Sequence, residues 1–311
     1  MSPGEIEAHA QGAIDKGSAS FAAAARLFDR RTRSSVVLLY AWCRHCDDVI
    51  DGQTLGSRSL RPDGGGLERL AGLMRETTAA LDGVPDGPAY AGLELVARRH
   101  ELAREDLYEH LEGFGMDVRG ERYETLAHLL VYCHRVAGVV GLMMARIMGV
   151  RDAPTLARAA DLGLAFQLTN IARDIVDDAR AGRVYVPQDW IAEEGLSPDD
   201  LEDPAHAAAV ARLRRRLVLA AEPYYASARA GIDRLPRRSA LAIAAAHGIY
   251  RRIGLKLVAD ASAPYDRRIS TTPAEKLVEF GRAATIAASP RLRRGEPPVP
   301  PSPFRQRAAL R

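Results

Sequence analysis

A chain of 311 residues, 47% hydrophobic and 27% charged, has the composition of a soluble globular protein with a substantial core. Its net charge of +3, few aromatics and no basic run interleaved with stacking residues speak against nucleic acid as a partner. No stretch resets the composition in mid-chain, so one domain is expected over residues 1–288, followed by a tail at 289–311.

The first residues, MSPGEIEAHAQG, are polar and carry acids, unlike a signal or transit peptide. The longest uninterrupted apolar run, 136–145, lies between Arg135 and Arg146 and falls short of the ~20 residues a membrane span requires. Three cysteines fit a reducing compartment better than a disulfide framework. A cytoplasmic protein without a transmembrane helix is the expectation.

Apolar residues recur at three- and four-residue spacing, and alternating β-branched runs are almost absent, so the chain reads as all-α. Between clusters of Gly and Pro, helices are expected at 20–29, 32–51, 66–82, 89–101, 104–117, 123–148, 153–178, 204–234, 237–261 and 273–287. Residues after Ser289 are rich in Pro and Arg and read as a flexible, solvated tail.

In the second of these helices, Tyr40, Arg44, Asp47 and Asp51 have offsets 0, 4, 7 and 11, which fall within an arc of about 60° at ~100° per residue. One face thus presents a hydroxyl, a guanidinium and two carboxylates. A surface ion pair between Arg44 and Asp47 is one reading. The apolar neighbours Val36–Leu39, Trp42, Val49 and Ile50 favour another, a cation held by carboxylates that are not free in solvent. The nearby Cys43 and Cys46 lack a second ligand pair and read as ordinary helix cysteines.

Gln167, Asn170, Asp174 and Asp178 repeat the pattern with offsets 0, 3, 7 and 11, within about 80° of the helix circumference. Leu164, Leu168, Ile171 and Ile175 form the opposite, apolar face, while Arg173 and Asp177 lie off the line as supporting or solvent charges. Two oxygen ladders suit Mg²⁺ (or Mn²⁺) clamped on a diphosphate, whose charge grows as it leaves. A carbocation formed in this way must be kept from water by dry walls.

The segments YCHRVAGVVG (132–141) and Gly163…Gln167…Asn170-Ile-Ala-Arg173-Asp174…Asp178…Arg183-Val-Tyr185-Val-Pro187 resemble the two signatures of the squalene/phytoene synthase family. The resemblance runs from Ser18 to about Lys276 and is nearest to the bacterial phytoene-forming members. It implies a single-domain isoprenoid-synthase helical bundle with a central cavity. The implied reaction is head-to-head condensation of two geranylgeranyl diphosphates, through prephytoene diphosphate, to phytoene. That is the first committed step of carotenoid biosynthesis, and it needs no nicotinamide cofactor.

By the same resemblance, Asp47, Asp51, Asn170, Asp174 and Asp178 bind Mg²⁺ and the diphosphates. Ser20, Phe21, Tyr40, Arg44, Gln167, Tyr250 and Arg268 contact substrate, and Tyr132 stands near the reacting carbons. For Ser20 and Phe21 a helix cap and a core aromatic are the alternative. His134 and Arg135 occupy the place where many relatives carry a second tyrosine. A partner that takes the product onward, a carotenoid desaturase, and peripheral contact with the inner face of the membrane are implied too. The rival reading is coupling of two farnesyl diphosphates to dehydrosqualene or squalene. Finally, Ala137, Gly141 and Ala145 recur every fourth residue, giving a smooth face suited to close helix packing or to a prenyl chain.

Overall fold

The computed structural model describes residues 1–17, 19–52, 65–259, 268–288 and 299–302, and among them there are helices and no strands. In chain order the helices are α1 (Pro3–Gly17), α2 (Ala19–Ala25), α3 (Arg30–Asp51), α4 (Gly66–Leu81), α5 (Gly87–His100), α6 (Arg104–Val118), α7 (Leu126–Cys133), α8 (Val139–Ile147), α9 (Ala153–Arg180), α10 (Gln188–Glu193), α11 (Ala207–Ile232), α12 (Arg237–Ala259) and α13 (Pro273–Ala288). The long helices α3 and α9 carry the two ladders.

Both begin on side-chain caps. Asp29 accepts from the Thr32 amide at 3.0 Å and its hydroxyl at 2.7 Å, and Asp152 accepts from the Thr155 amide at 3.0 Å. Helix α3 ends at Gly52, whose φ of 62° is the left-handed conformation that glycine supplies most cheaply.

Two apolar clusters make up the core. One gathers α1, α3, α5 and the start of α12, and the other gathers α7, α9 and α11. The first contains an element that the sequence reading left out. Helix α1 buries Ile6, Ala10, Ala13 and Ile14, which share one face at helical spacing. Short α10 was likewise not expected. In the tail, residues 299–302 lie against α11, where Tyr224 donates to the Pro301 carbonyl at 2.7 Å.

The expected single helix 123–148 is in fact α7 and α8 joined by a π-helical turn, His134–Gly138, closed by a bond from the Val139 amide to the His134 carbonyl. The extra residue has a geometric effect. In an unbroken α-helix Val140 and Met144 would lie about 80° and 120° round from Tyr132. One inserted residue turns them back by about 100°, so all three face the same side. The composite helix Leu126–Ile147 is, by length and composition, long and apolar enough to cross a membrane. Arg135 divides its apolar run, so the uninterrupted stretch 136–145 alone falls short of a span. Half of its most apolar window is buried in the bundle, as befits a core helix.

Helices α8 and α9 cross at near-contact. A Cβ on Gly163 would lie 2.2 Å from the Ala137 carbonyl oxygen, and one on Gly141 would lie 2.4 Å from that of Ala159. Ala137, Gly141 and Ala145 also line the central cavity, so the smooth face serves packing and cavity together. Gly163→Ala is expected to destabilise the fold by about 1–3 kcal/mol, because the backbone clash outweighs the gain of about 1 kcal/mol in helix propensity. A urea-unfolding midpoint at or above that of the parent would refute this.

Candidate active site

Between the two clusters lies a cavity of about 1170 Å³. Its lining includes Phe21, Tyr40, Arg44, Asp47, Asp51, Tyr132, Gln167, Asn170, Asp174, Asp178, Tyr250 and Arg268. Ser20 is in α2, and its side chain lies outside the described residues. One end is charged, and the other is apolar, walled by residues such as Ala24, Val140, Met144, Leu162 and Ile232.

On α3, Arg44 pairs with Asp47 at 3.0 Å and with Asp48 at 2.5 Å. The ion pair considered from the sequence therefore exists, but inside the cavity. Asp47 keeps 43% of its side-chain surface, on the cavity side. Surrounding protein and the charge of Asp51 push its carboxyl up to about 6, against the pull of Arg44. Burial pushes the Tyr40 phenol up to about 12, so it is a neutral hydroxyl. Burial likewise pushes the Cys43 thiol up to about 12, which leaves it unreactive.

On α9, Asp174 receives two hydrogen bonds from Arg173, at 2.8 and 2.5 Å, and an ion pair from Arg268 at 3.1 Å. Burial raises its pKa, but the two arginines outweigh burial and hold it below the usual range. Arg173 and Asp177, placed off the ladder by the sequence reading, both line the cavity. The helix wheel missed this because the ladder face is wider than the line through four residues.

Three further residues escaped the sequence reading. Arg183, in the loop after α9, pairs with Asp51 across 132 residues of chain, while its amide bonds the Asp178 carbonyl at 2.9 Å. It thereby ties one ladder to the other. Half-buried Asp117 and buried Tyr185 lie beside Tyr132, both phenols donating to the Asp117 carboxylate. Arg183 and Tyr185 stood within the quoted signature, which was the available signal. Asp117 lies in HLEGFGMDVR (110–119), a segment that also resembles the family, but its partners are distant in sequence and periodicity does not single it out.

Over the junction of the two ends lies an aromatic group. Phe166 and Tyr250 stack with centroids 4.3 Å apart, and Phe21 stacks on Tyr250 at 5.5 Å. Burial raises the Tyr250 phenol, although Arg173 and Arg268 pull it down.

The donors suit Mg²⁺. Asn170 donates to Gln167 at 3.4 Å, but its own Oδ1 is buried with no hydrogen-bond partner among the described residues, a hard oxygen suited to a cation. Among the described residues no three acidic, histidine or cysteine side chains converge on one point. Mg²⁺ at a phosphate needs no such cage, since one or two carboxylates suffice and water and phosphate complete the octahedron.

Comparisons with known proteins agree with this geometry. The squalene/phytoene synthase family model matches residues 14–275. A 15-cis-phytoene synthase of Enterobacter agglomerans is 53% identical over 91% of this chain and 97% of its own. One from Pantoea ananas is 52% identical over 94% and 95%. Among solved structures, a dehydrosqualene synthase in complex with ligand superposes with a TM-score of 0.79 at 26% identity, covering 91% of this chain and 96% of that one. A squalene synthase from Alicyclobacillus acidocaldarius gives 0.72 at 22% identity, covering 85% and 98%, and supports the fold. With that match spanning most of the bundle and both ladders, the chain belongs to the squalene/phytoene synthase family.

Proposed function

We propose that this protein condenses two geranylgeranyl diphosphates head to head, through prephytoene diphosphate, to phytoene. The carrying observation is one cavity with carboxylates and arginines at one end and an apolar wall along the rest, in a chain about half identical to enzymes of that name.

Asp47, Asp51, Asn170, Asp174 and Asp178 hold Mg²⁺, which when bound acts as a Lewis acid on the departing diphosphate. Arg44, Arg173, Arg183 and Arg268 offer charge-assisted hydrogen bonds to phosphate oxygens. The faces of Phe21, Phe166 and Tyr250 border the site of ionisation, where they favour positive charge and exclude water. Neither proton loss nor rearrangement consumes a reductant, so no nicotinamide cofactor is needed.

Asn170 and Thr155 both line the cavity, and the 15 helical steps that separate them on α9 rise about 22 Å. A four-isoprene chain extends about 20 Å, at about 1.25 Å per staggered chain carbon, and is accommodated over that length. The shorter three-isoprene chain, about 15 Å, is accommodated too, so the preference for the C20 substrate rests on the likeness to enzymes named phytoene synthase.

The test is incubation of purified protein and Mg²⁺ with the C20 and, separately, the C15 diphosphate, with and without NADPH. Phytoene from the C20 substrate alone, lost on chelation with EDTA, is expected. A C30 hydrocarbon as the main product would replace this reading with dehydrosqualene or squalene synthesis.

A further inference from the structure

Where the apolar wall meets the charged end, two phenols share one carboxylate. Tyr132, near the end of α7, and Tyr185, in the loop after α9, stack with centroids 4.9 Å apart and planes 23° apart. Tyr132 donates to Asp117 Oδ2 at 3.1 Å, and Tyr185 donates to Oδ1 at 2.8 Å. Asp117 comes from the last turn of α6, and all three residues line the cavity. A phenol has one proton to give. The two hydroxyls also lie within hydrogen-bonding reach of each other, so the Tyr132 proton is held among Asp117 and Tyr185 and the Tyr132 oxygen keeps a lone pair for the cavity.

We propose that Asp117 is the final acceptor of a proton that the substrate carbocation loses through Tyr132. The proposal rests on the functional reading above, in which such a cation forms. In the step, the C–H bond of the carbon that carried the departed diphosphate, one carbon removed from the cationic centre, breaks and its electron pair closes the three-membered ring. The proton goes to Tyr132 Oη while the proton already on Tyr132 passes to Asp117 Oδ2. A cation and a carboxylate become a neutral carbon skeleton and a neutral carboxylic acid, and Tyr132 begins and ends as a phenol.

The surroundings favour this route over a tyrosinate base. Burial, with Asp117 beside it, holds the Tyr132 phenol well above its ordinary range. Burial also pushes the Asp117 carboxyl up to about 6, against Arg183 and the two hydroxyls, so its protonated form is accessible. Entry is through Tyr132 rather than Tyr185. Tyr132 shares its face with Val140 and Met144 on the hydrocarbon wall, whereas Tyr185 lies two residues from Arg183 at the charged end. Asp117 acts through the phenol and is a positioning residue.

The full-length enzyme with Mg²⁺ and geranylgeranyl diphosphate, deuterated at the carbon bearing the diphosphate, provides the test. Diphosphate release and hydrocarbon are measured together. In Asp117→Asn and Tyr132→Phe, diphosphate release should stay within about threefold of the parent while hydrocarbon falls at least about tenfold. Allylic alcohols from water capture should appear, and the deuterium isotope effect on hydrocarbon should rise. Tyr185→Phe keeps the Tyr132–Asp117 bond and should lose less. Asp117→Glu, which restores a carboxylate, should recover part of the hydrocarbon. An unchanged ratio of hydrocarbon to diphosphate in both main variants overturns the proposal, as does a larger loss in Tyr185→Phe than in Tyr132→Phe. If Asp117→Asn does not fold, Tyr132→Phe carries the same comparison with the carboxylate still in place. A parent enzyme that releases no diphosphate from the C20 substrate refutes the functional reading instead, before any variant is made.

Discussion

Asp174→Asn is expected to lower turnover at least about 100-fold, because in the proposed function Asp174 is one ligand of the diphosphate-bound cation, and such a ligand is worth several kcal/mol as the leaving charge develops. The same change should destabilise the protein. Asp174 is the shared partner of Arg173 and Arg268, and it is more acidic in the fold than in the unfolded chain. Such a group contributes stability above the unfolded pKa, near 4, and loses it as pH falls through the lower folded value. Asparagine keeps one acceptor but no charge, which leaves the half-buried Arg173 poorly compensated. At pH 7 the variant should therefore melt below the parent, and the gap should narrow on acidification. A variant as active as the parent would remove Asp174 from the ladder.

Asp47→Asn should abolish turnover to a similar extent and yet shift stability the other way. The Asp47 carboxyl is raised to about 6 by its surroundings and by Asp51. For a raised group, stability is present in full below the unfolded pKa and is lost as pH rises through the folded one. Above pH 6 the parent thus carries a penalty that the neutral amide lacks. The shift would amount to about 3 kcal/mol without screening. Asp47 is 43% exposed to the cavity, so about 1 kcal/mol is the reasonable size, or roughly 2 °C in melting temperature. Arg44 still has Asp48 at 2.5 Å, so no cation is stranded. In metal-free buffer Asp47→Asn should melt higher than the parent at pH 8 and alike at pH 4.5. A lower melting point at pH 8 would show that Asp47 stabilises the empty site.

The opposite signs explain what could be read from sequence. Offsets of four placed Asp47 with Asp51 and Asn170 with Asp174, because oxygen ligands on one helix face are a local property. Which carboxylate is strained and which is satisfied depends on arginines brought in by the fold. Arg268 reaches Asp174 from 94 residues away, and Arg183 reaches Asp51 from 132. Periodicity carries no trace of such pairs.

The same limit explains the π turn at His134–Gly138, which leaves the apolar count intact and shifts only the facing. Helix α1 is a different kind of miss. Ile6, Ala10, Ala13 and Ile14 carry a full helical stripe, but two of the four are small alanines in an otherwise polar segment, so the apolar signal is weak.

The pairing of Asp51 with Arg183, and of Asp174 with Arg173 and Arg268, also bears on how the protein is made and stored. Guanidiniums of the chain itself act as counter-ions, so assembly does not wait for a divalent ion as it does in zinc-nucleated domains. If the proposed Mg²⁺ dependence holds, newly synthesised protein should mature before any metal is acquired and activity should be conferred by loading: a chelator should silence the enzyme at once, and adding the ion back should revive it without a refolding step.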